Sequence, residues 1–144
     1  MVSIAYSAHL AFYLYLVMVA VQWIVAVVSK AKQPNAIPGK ISADLSHDSF
    51  VFRSHRTFQN TLENSTLFLG AVLLAFSLNF QSTAFAICMW IYVLARILHM
   101  ALYYSIATEK NPSPRSYFFL IGAKRGVAKS ILKGIKHNVK CKLF

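Results

Sequence analysis

An apolar run of 19 residues near the N-terminus constrains the fold of this chain more than any other feature. The run extends from Leu10 to Val28 and is interrupted only by Gln22. At ~1.5 Å per residue, a helix of this length nearly spans the ~30 Å hydrocarbon core of a bilayer. No Lys or Arg precedes the run, so the positive n-region of a cleaved signal peptide is missing. We interpret the run as a retained first transmembrane helix.

Polar and proline-containing segments divide the rest of the chain into further helices. The connection over 30–48 contains two prolines and a glycine, where a helix does not easily persist. We predict a second helix from Ser49 to about Phe80, a tight turn over 79–82, and a third helix from about Thr83 to Ala107. The sequence Asn-Pro-Ser-Pro at 111–114 then breaks the chain. The pattern predicts an all-α integral membrane bundle with three clear transmembrane helices.

The C-terminal part of the chain is too charged for a full fourth span. The apolar run Tyr117–Ile121 is short, whereas a spanning helix needs ~20 apolar residues, so a fourth helix would be short or divergent. Residues 124–142 then carry seven of the 15 Lys and Arg residues and no acid. This segment fits either an amphipathic helix at an anionic membrane surface or a solvated, partly disordered tail. We therefore divide the chain into a transmembrane domain over 1–122 and a basic tail over 123–144.

Composition and charge exclude several other classes of protein. A hydrophobic content of 57% is too high for a disordered chain. The net charge of +11 would suit nucleic acid, but the apolar runs are too long for the core of a soluble nucleic-acid-binding protein. The two cysteines are far apart and form no metal or disulfide pattern, so we expect no metal.

The distribution of Lys and Arg predicts the orientation in the membrane. The N-terminus and the 79–82 turn carry none, whereas the first connection and the segment after Ala107 carry many. The positive-inside rule places the basic loops and tail in the cytoplasm and the N-terminus outside. We expect a multi-pass protein of the endoplasmic reticulum or of a bacterial inner membrane.

Polar residues recur on one face of the second helix. Arg53, Arg56, Asn60 and Glu63 are spaced so that, at ~100° per residue, they fall within an arc of ~80°. Ionisable groups at membrane depth are costly, and each is therefore a candidate functional residue.

The third helix repeats this pattern with Arg96, His99 and Tyr103. If the hairpin turns near Gln81, Glu63 lies level with His99 and Asn60 lies level with about Tyr103. A structural alternative is that Glu63 and Arg96 only neutralise each other and lock the hairpin. Arginines outnumber the single acid in these stripes, however, and this surplus favours a polyanionic ligand.

These polar motifs resemble those of the MAPEG family, membrane proteins of eicosanoid and glutathione metabolism. The segment from Arg56 to Asn64 resembles the family's RxxxNxxEN signature, with Thr61 where many members have Asp. Arg96-Ile97-Leu98-His99 with Tyr103 is similar to its third-helix RxxHxxxY pattern. Pro114-Arg115-Ser116 is similar to the Arg-Ser that opens its fourth helix. The resemblance covers about residues 8–121.

The resemblance implies a homotrimer of four-helix protomers that holds glutathione between neighbouring subunits near the cytoplasmic side. Arg115 and Ser116 would hold the sulfur and are the expected catalytic residues. The residues expected to bind glutathione are Arg53, Arg56, Asn60, Glu63, Arg96, His99 and Tyr103. Glutathione has two carboxylates, which guanidinium groups bind in bidentate fashion, and nearby cations favour its thiolate.

The activity that the resemblance implies is that of a membrane glutathione transferase or peroxidase of the microsomal transferase type. Glutathione, as cosubstrate, would react with lipophilic electrophiles or lipid hydroperoxides. The expected partners are glutathione, a lipophilic small molecule, membrane lipids and further copies of the chain, and not nucleic acid. One alternative is a non-catalytic scaffold or lipid-binding protein with the same fold, since a fold does not guarantee catalysis. A more distant one is a polybasic membrane-surface protein whose hairpin only anchors the tail.

Overall fold

Three long helices form the part of the chain that the structure describes. The structure is a computed structural model, and it describes residues 4–80 and 82–106. Helix α1 runs over Ile4–Ala31, α2 over Phe50–Ser77 and α3 over Thr83–Ser105. These described ranges contain no strand, so the prediction of an all-α fold is confirmed for them. The expected short fourth helix and the basic tail lie outside the described residues.

Helix α1 is longer than its apolar run, because flanking residues of moderate polarity extend it by about a turn or more at each end. Tyr13 and Trp23 expose more than half of their surface, and many other apolar side chains on α1 are exposed as well. Its buried residues recur three or four positions apart along one stripe, namely Ala8, Ala11, Tyr15, Met18, Gln22 and Ala26. A helix with one buried stripe and apolar surface elsewhere is suited to packing in lipid.

Within the described residues, two helices are long and apolar enough to cross a membrane. They are α1, over Tyr6–Ala31, and α3, over Thr83–Ser105. Helix α2 is as long as α1, at 28 residues, but carries the polar residues of the predicted stripe in its first half. The sequence-based prediction of three spans is therefore supported at α1 and α3, while a span at α2 stays a prediction.

The turn between α2 and α3 forms because Asn79 adopts a left-handed conformation. Its φ of 50° ends α2, and Asn is one of the few residues that tolerates this conformation. The amide of Phe80 donates to the carbonyl of Ala75 at 2.9 Å, and the amide of Asn79 donates to that of Phe76 at 3.0 Å. These two bonds satisfy the last carbonyls of α2 in a Schellman motif. The chain thus reverses direction within a few residues, and α3 returns beside α2.

Helix α1 packs extensively against both α2 and α3, whereas α2 and α3 contact each other over a shorter length. The centre of the bundle is aromatic. The rings of Phe68 and Tyr92 stack with centroids 4.0 Å apart, and Tyr15 approaches Phe68 at 4.7 Å. The hydroxyl of Tyr15 also shares a hydrogen bond with that of Ser65. This core holds the three helices in register and fixes the heights of the polar residues nearer the α1–α2 connection.

Candidate functional site

A buried arginine, Arg96, joins the polar residues of α2 and α3. Its side chain is only 3% exposed. One terminal nitrogen donates to Oδ1 of Asn60 at 3.1 Å and the other donates to Oγ1 of Thr61 at 2.6 Å. Both acceptors are neutral, and the Nε of Arg96 is buried without a hydrogen-bond partner. No carboxylate among the described residues pairs with this guanidinium.

The predicted polar stripe on α2 lies partly inside the bundle and partly at its surface. Arg53 is buried, because it lies at the edge of the stripe nearest α3. Arg56 and Glu63 are about half exposed and form an ion pair with an Nη1–Oε1 distance of 3.8 Å. Asn60 lies between them on the helix surface and accepts the hydrogen bond from Arg96. The prediction that the polar stripes of α2 and α3 meet is thus confirmed at Asn60, which binds Arg96 of α3.

The register of the hairpin differs from the prediction. Asn60 was expected level with about Tyr103, yet it binds Arg96, and Glu63 pairs with Arg56 on its own helix. The midpoint of the turn between Ser77 and Thr83 is earlier in the chain than expected, which moves the α3 partners by about two residues. The length of the Arg96 side chain supplies the remaining offset. The structural alternative of a neutralising Glu63–Arg96 pair is wrong, because Glu63 pairs with Arg56 instead.

Arg53 binds backbone carbonyls rather than side chains. Its Nη1 donates to the carbonyls of His47 at 2.6 Å and Asp48 at 2.9 Å, and its Nη2 donates to the carbonyl of Tyr104 at 3.4 Å. The last carbonyls of a helix lack intrahelical partners, so a cation near the end of α3 is favourable. Arg53 therefore ties the segment before α2 to the end of α3. Both of its terminal nitrogens are engaged, while its Nε is buried without a hydrogen-bond partner among the described residues.

His99 and Tyr103, the other two predicted residues on α3, belong to an aromatic cluster next to Arg96. His99 is buried, and its ring lies 5.4 Å from the Tyr103 ring. Tyr103 also lies 5.7 Å from the ring of His47, which precedes α2. This cluster joins α3 to the segment before α2. The expected catalytic residues, Arg115 and Ser116, lie outside the described residues.

A stripe of hydroxyl groups on α2, which was not predicted, bonds α1 at two positions and α3 at a third. The hydroxyl of Ser54 is 2.7 Å from that of Ser29, and Ser65 pairs with Tyr15. The buried members of this stripe recur three or four residues apart, at Ser54, Thr57, Thr61 and Ser65. Small hydroxyl residues allow membrane helices to approach closely and to hydrogen-bond across the interface. That spacing is readable in the sequence and could have revealed the stripe.

A second missed residue is Gln22 on α1. It is fully buried, and neither its amide nitrogen nor its carbonyl oxygen has a hydrogen-bond partner among the described residues. The only signal in the sequence was its position as the single polar interruption of the first apolar run. A buried carboxamide without partners is costly, and it faces the interior of the bundle.

The described part of the site is thus an electropositive centre with polar acceptors around it. Three arginines, Arg53, Arg56 and Arg96, lie along one end of the α2–α3 pair, with Glu63 as the acid among them. Such an arrangement can bind a carboxylate and can stabilise a thiolate near it. The described residues contain no group of three His, Cys, Asp or Glu side chains that could hold a metal ion.

Comparison with known protein families agrees with the motifs. The family model of the MAPEG family matches residues 7–124, which includes α2, α3, all of α1 except its first three residues, and every predicted site residue. This range nearly coincides with the span of the sequence resemblance. No curated protein and no solved structure matches the chain.

Proposed function

Because the chain belongs to the MAPEG family of membrane proteins, we propose that it is a membrane glutathione transferase or peroxidase of the microsomal transferase type. The observation that carries this proposal is the guanidinium of Arg96, which is buried in a helix apolar enough to cross a membrane and has no carboxylate partner among the described residues. An uncompensated charge at that depth is costly unless a ligand compensates it. A carboxylate of glutathione is the anion that we assign to it.

The charges around Arg96 support a peptide with two carboxylates and one amine. Arg96 and Arg56 would bind the carboxylates, and Glu63 would bind the amino group. Asn60 presents its amide beside them and can bond the peptide backbone of the ligand. His99 and Tyr103 would form the wall nearest the α1–α2 connection. Arg53 has carbonyl partners already, so we assign it the role of fixing the α2–α3 geometry rather than that of contacting glutathione directly.

The reaction that we propose has glutathione itself as the nucleophile. Arg115, followed by Ser116, would hold the sulfur and favour its thiolate form, because a neighbouring cation lowers the pKa of a thiol. The thiolate would add to an apolar electrophile, or displace a leaving group such as chloride from it. With a lipid hydroperoxide from the bilayer, the thiolate would attack the outer oxygen and release the lipid alcohol, and a second glutathione would reduce the resulting sulfenic acid to give the disulfide and water. Apolar side chains are interchangeable in such a pocket, so the class of lipophilic substrate is as far as the proposal extends.

We also propose that the chain forms a homotrimer with a short fourth helix. The support is the exposure of Arg56 and Glu63, which is 47% and 60% for their side chains although they lie on a helix of the bundle. In lipid, two half-exposed charges are costly, and a neighbouring copy of the chain would cover them. The basic loops and the tail would then face the cytoplasm, in accord with the positive-inside rule.

Glutathione-dependent activity of detergent-solubilised protein tests the proposal. The assay offers a chlorinated dinitrobenzene and a lipid hydroperoxide as alternative acceptors, with glutathione binding measured by calorimetry and oligomer mass measured in parallel. Turnover with either acceptor by a trimer is the expected result. As a matched control, Lys32→Gln removes a positive charge outside the site and should leave turnover unchanged.

A glutathione-binding oligomer without turnover would favour the non-catalytic scaffold over the enzyme. Failure to bind glutathione would overturn the proposed enzyme. In that case deletion of residues 123–144 tests the third reading, since a protein that acts through its tail would lose membrane-surface binding with it.

A further inference from the structure

A cavity of about 300 Å³ lies in the connection between α1 and α2. None of the predicted site residues on α2 and α3 lines it. Its lining includes basic and polar residues, among them Lys30, Lys40 and Ser42, and also apolar residues, among them Ile37, Ile41 and Leu45. A lining of this mixed kind suits an amphiphile with an anionic end better than a fully polar solute.

The two lysines of this cavity have no acidic partner in the described part of the chain. Neither Lys30 nor Lys40 forms an ion pair there. The nearby acid Asp44 instead accepts a hydrogen bond from Ser42 at 3.3 Å. Two ammonium groups along one cavity repel each other, and an anion between them relieves this repulsion. The charge of the cavity therefore points to a monoanionic or dianionic group.

The position of α1 places the cavity at the membrane surface. The span Tyr6–Ala31 has 26 residues, which corresponds to ~39 Å of helix. This is longer than the ~30 Å hydrocarbon core and nearly equal to the ~40–45 Å of a bilayer with its headgroups. Lys30 is in the last turn of α1 and therefore lies at the level of the lipid headgroups. Basic groups at that level attract anionic lipids.

We propose that this cavity binds the phosphate and glycerol of an anionic phospholipid. Lys30 and Lys40 pair with the phosphate, and Ile37, Ile41 and Leu45 pack against the glycerol and the first methylenes of the acyl chains. The volume lies at the lower end of the ~300–1,000 Å³ that is typical of small-molecule sites, so it holds a headgroup rather than a whole lipid. The proposal is independent of glutathione binding, because it uses different residues.

Native mass spectrometry of the full chain, released from nanodiscs, tests this site. The nanodiscs contain phosphatidylcholine alone or phosphatidylcholine mixed with phosphatidylglycerol. The wild-type chain should retain phosphatidylglycerol in preference to phosphatidylcholine. Lys30→Gln and Lys40→Gln should each reduce this preference about fivefold, which is the effect expected of one lysine near an anionic surface.

Lys32→Gln is the matched control, because Lys32 is exposed on the same connection but does not line the cavity. It should leave the preference within about twofold of wild type. A loss equal to that of Lys40→Gln would show general attraction to the surface and would overturn the site. A second variant, Ala36→Trp, fills the cavity and keeps both lysines, since Ala36 lines the cavity and is exposed.

Retention of phosphatidylglycerol by Ala36→Trp would also overturn the proposal. Glycerol 3-phosphate and inorganic phosphate, added as soluble competitors, separate a lipid site from a site for free phosphate. Displacement of the lipid by inorganic phosphate at low concentration would contradict a lipid site, whereas glycerol 3-phosphate, which carries the phosphate and glycerol of the lipid, should compete only at high concentration. Glutathione binding, measured on the same variants, should not change, so that a failure here is distinguishable from a failure of the proposed activity.

Discussion

Replacing Arg96 by Met separates the two roles that a buried arginine can have. Met is apolar and matches the aliphatic stem of Arg, so Arg96→Met removes the charge and the two hydrogen bonds while it preserves the packing of the stem. If Arg96 is there to bind an anionic ligand, the variant should fold about as well as the wild type without ligand and should lose glutathione. If Arg96 is a structural pin, the variant should lose stability whether or not glutathione is present.

The contacts of Arg96 set the size of both effects. The hydrogen bonds to Asn60 and Thr61 are charge-assisted, and losing them costs about 1.5–3 kcal/mol each. Removal of a guanidinium that is 3% exposed relieves a desolvation cost of several kcal/mol. The two terms nearly cancel, and we expect a change in the free energy of unfolding within about 2 kcal/mol.

The effect on the ligand should be much larger. Removing one partner of a buried pair between an arginine and a carboxylate costs about 2–5 kcal/mol of binding free energy. This corresponds to a Kd for glutathione that is about 30-fold to several thousandfold weaker. Arg96→Lys should lie between the two proteins, because Lys keeps the charge but lacks the planar fork that binds a carboxylate in bidentate fashion.

Thermal unfolding in detergent, with and without saturating glutathione, measures both effects in one experiment. Glutathione should raise the Tm of the wild type, raise that of Arg96→Lys less, and leave that of Arg96→Met unchanged. Calorimetric titration then gives the Kd of each variant. A wild-type Kd for Arg96→Met would refute the assignment of Arg96 to the ligand. A ligand-free Tm far below that of the wild type would show that Arg96 holds the hairpin together.

Three further variants test other parts of the site. Arg56→Ala should chiefly raise the KM for glutathione, and an unchanged KM in steady-state assays would remove Arg56 from the binding residues. Arg115→Ala should lower kcat far more than it weakens glutathione binding, whereas equal losses would show that Arg115 anchors the peptide. Gln22→Leu should stabilise the protein by about 1–3 kcal/mol, because both polar atoms of Gln22 are buried without partners in the described structure. A lower Tm for Gln22→Leu would contradict this reasoning.

The helices were predictable from the sequence because each has a strong local signal. The second helix was predicted to begin at Ser49, and α2 begins at Phe50, one residue later. The start of α3 at Thr83 also agrees with the prediction. The end of α2 agrees less well, because the prediction was about Phe80 and the helix ends at Ser77. The left-handed conformation of Asn79 prevents the helix from continuing. Nothing in the apolar pattern of α2 distinguishes Ser77 from Phe80 as an end.

The partners of the polar side chains were harder to predict than their positions. The position of a residue in a helical stripe gives the direction of its side chain only to within a broad arc. Arg53 is buried and Arg56 is exposed although both lie within the same arc. Arg53 is buried where its terminal nitrogens bind the carbonyls of His47, Asp48 and Tyr104, and the sequence carries no signal for such backbone partners. Thr61 was noted only as a departure from the family signature. Its bond to Arg96 was not predicted, since a threonine on a helix usually bonds its own backbone.

Fewer arginines support an anionic ligand in the structure than in the sequence, because some of them have partners within the protein. In the sequence, all the arginines of the two stripes counted equally toward the excess of positive charge over Glu63. In the structure, Arg53 is bound by three carbonyls, and Arg56 has Glu63 as its ion-pair partner. Among the described residues this leaves Arg96 as the buried arginine with only neutral side-chain acceptors. The case for glutathione in this part of the chain therefore depends on one guanidinium, and the Arg96→Met experiment tests it directly.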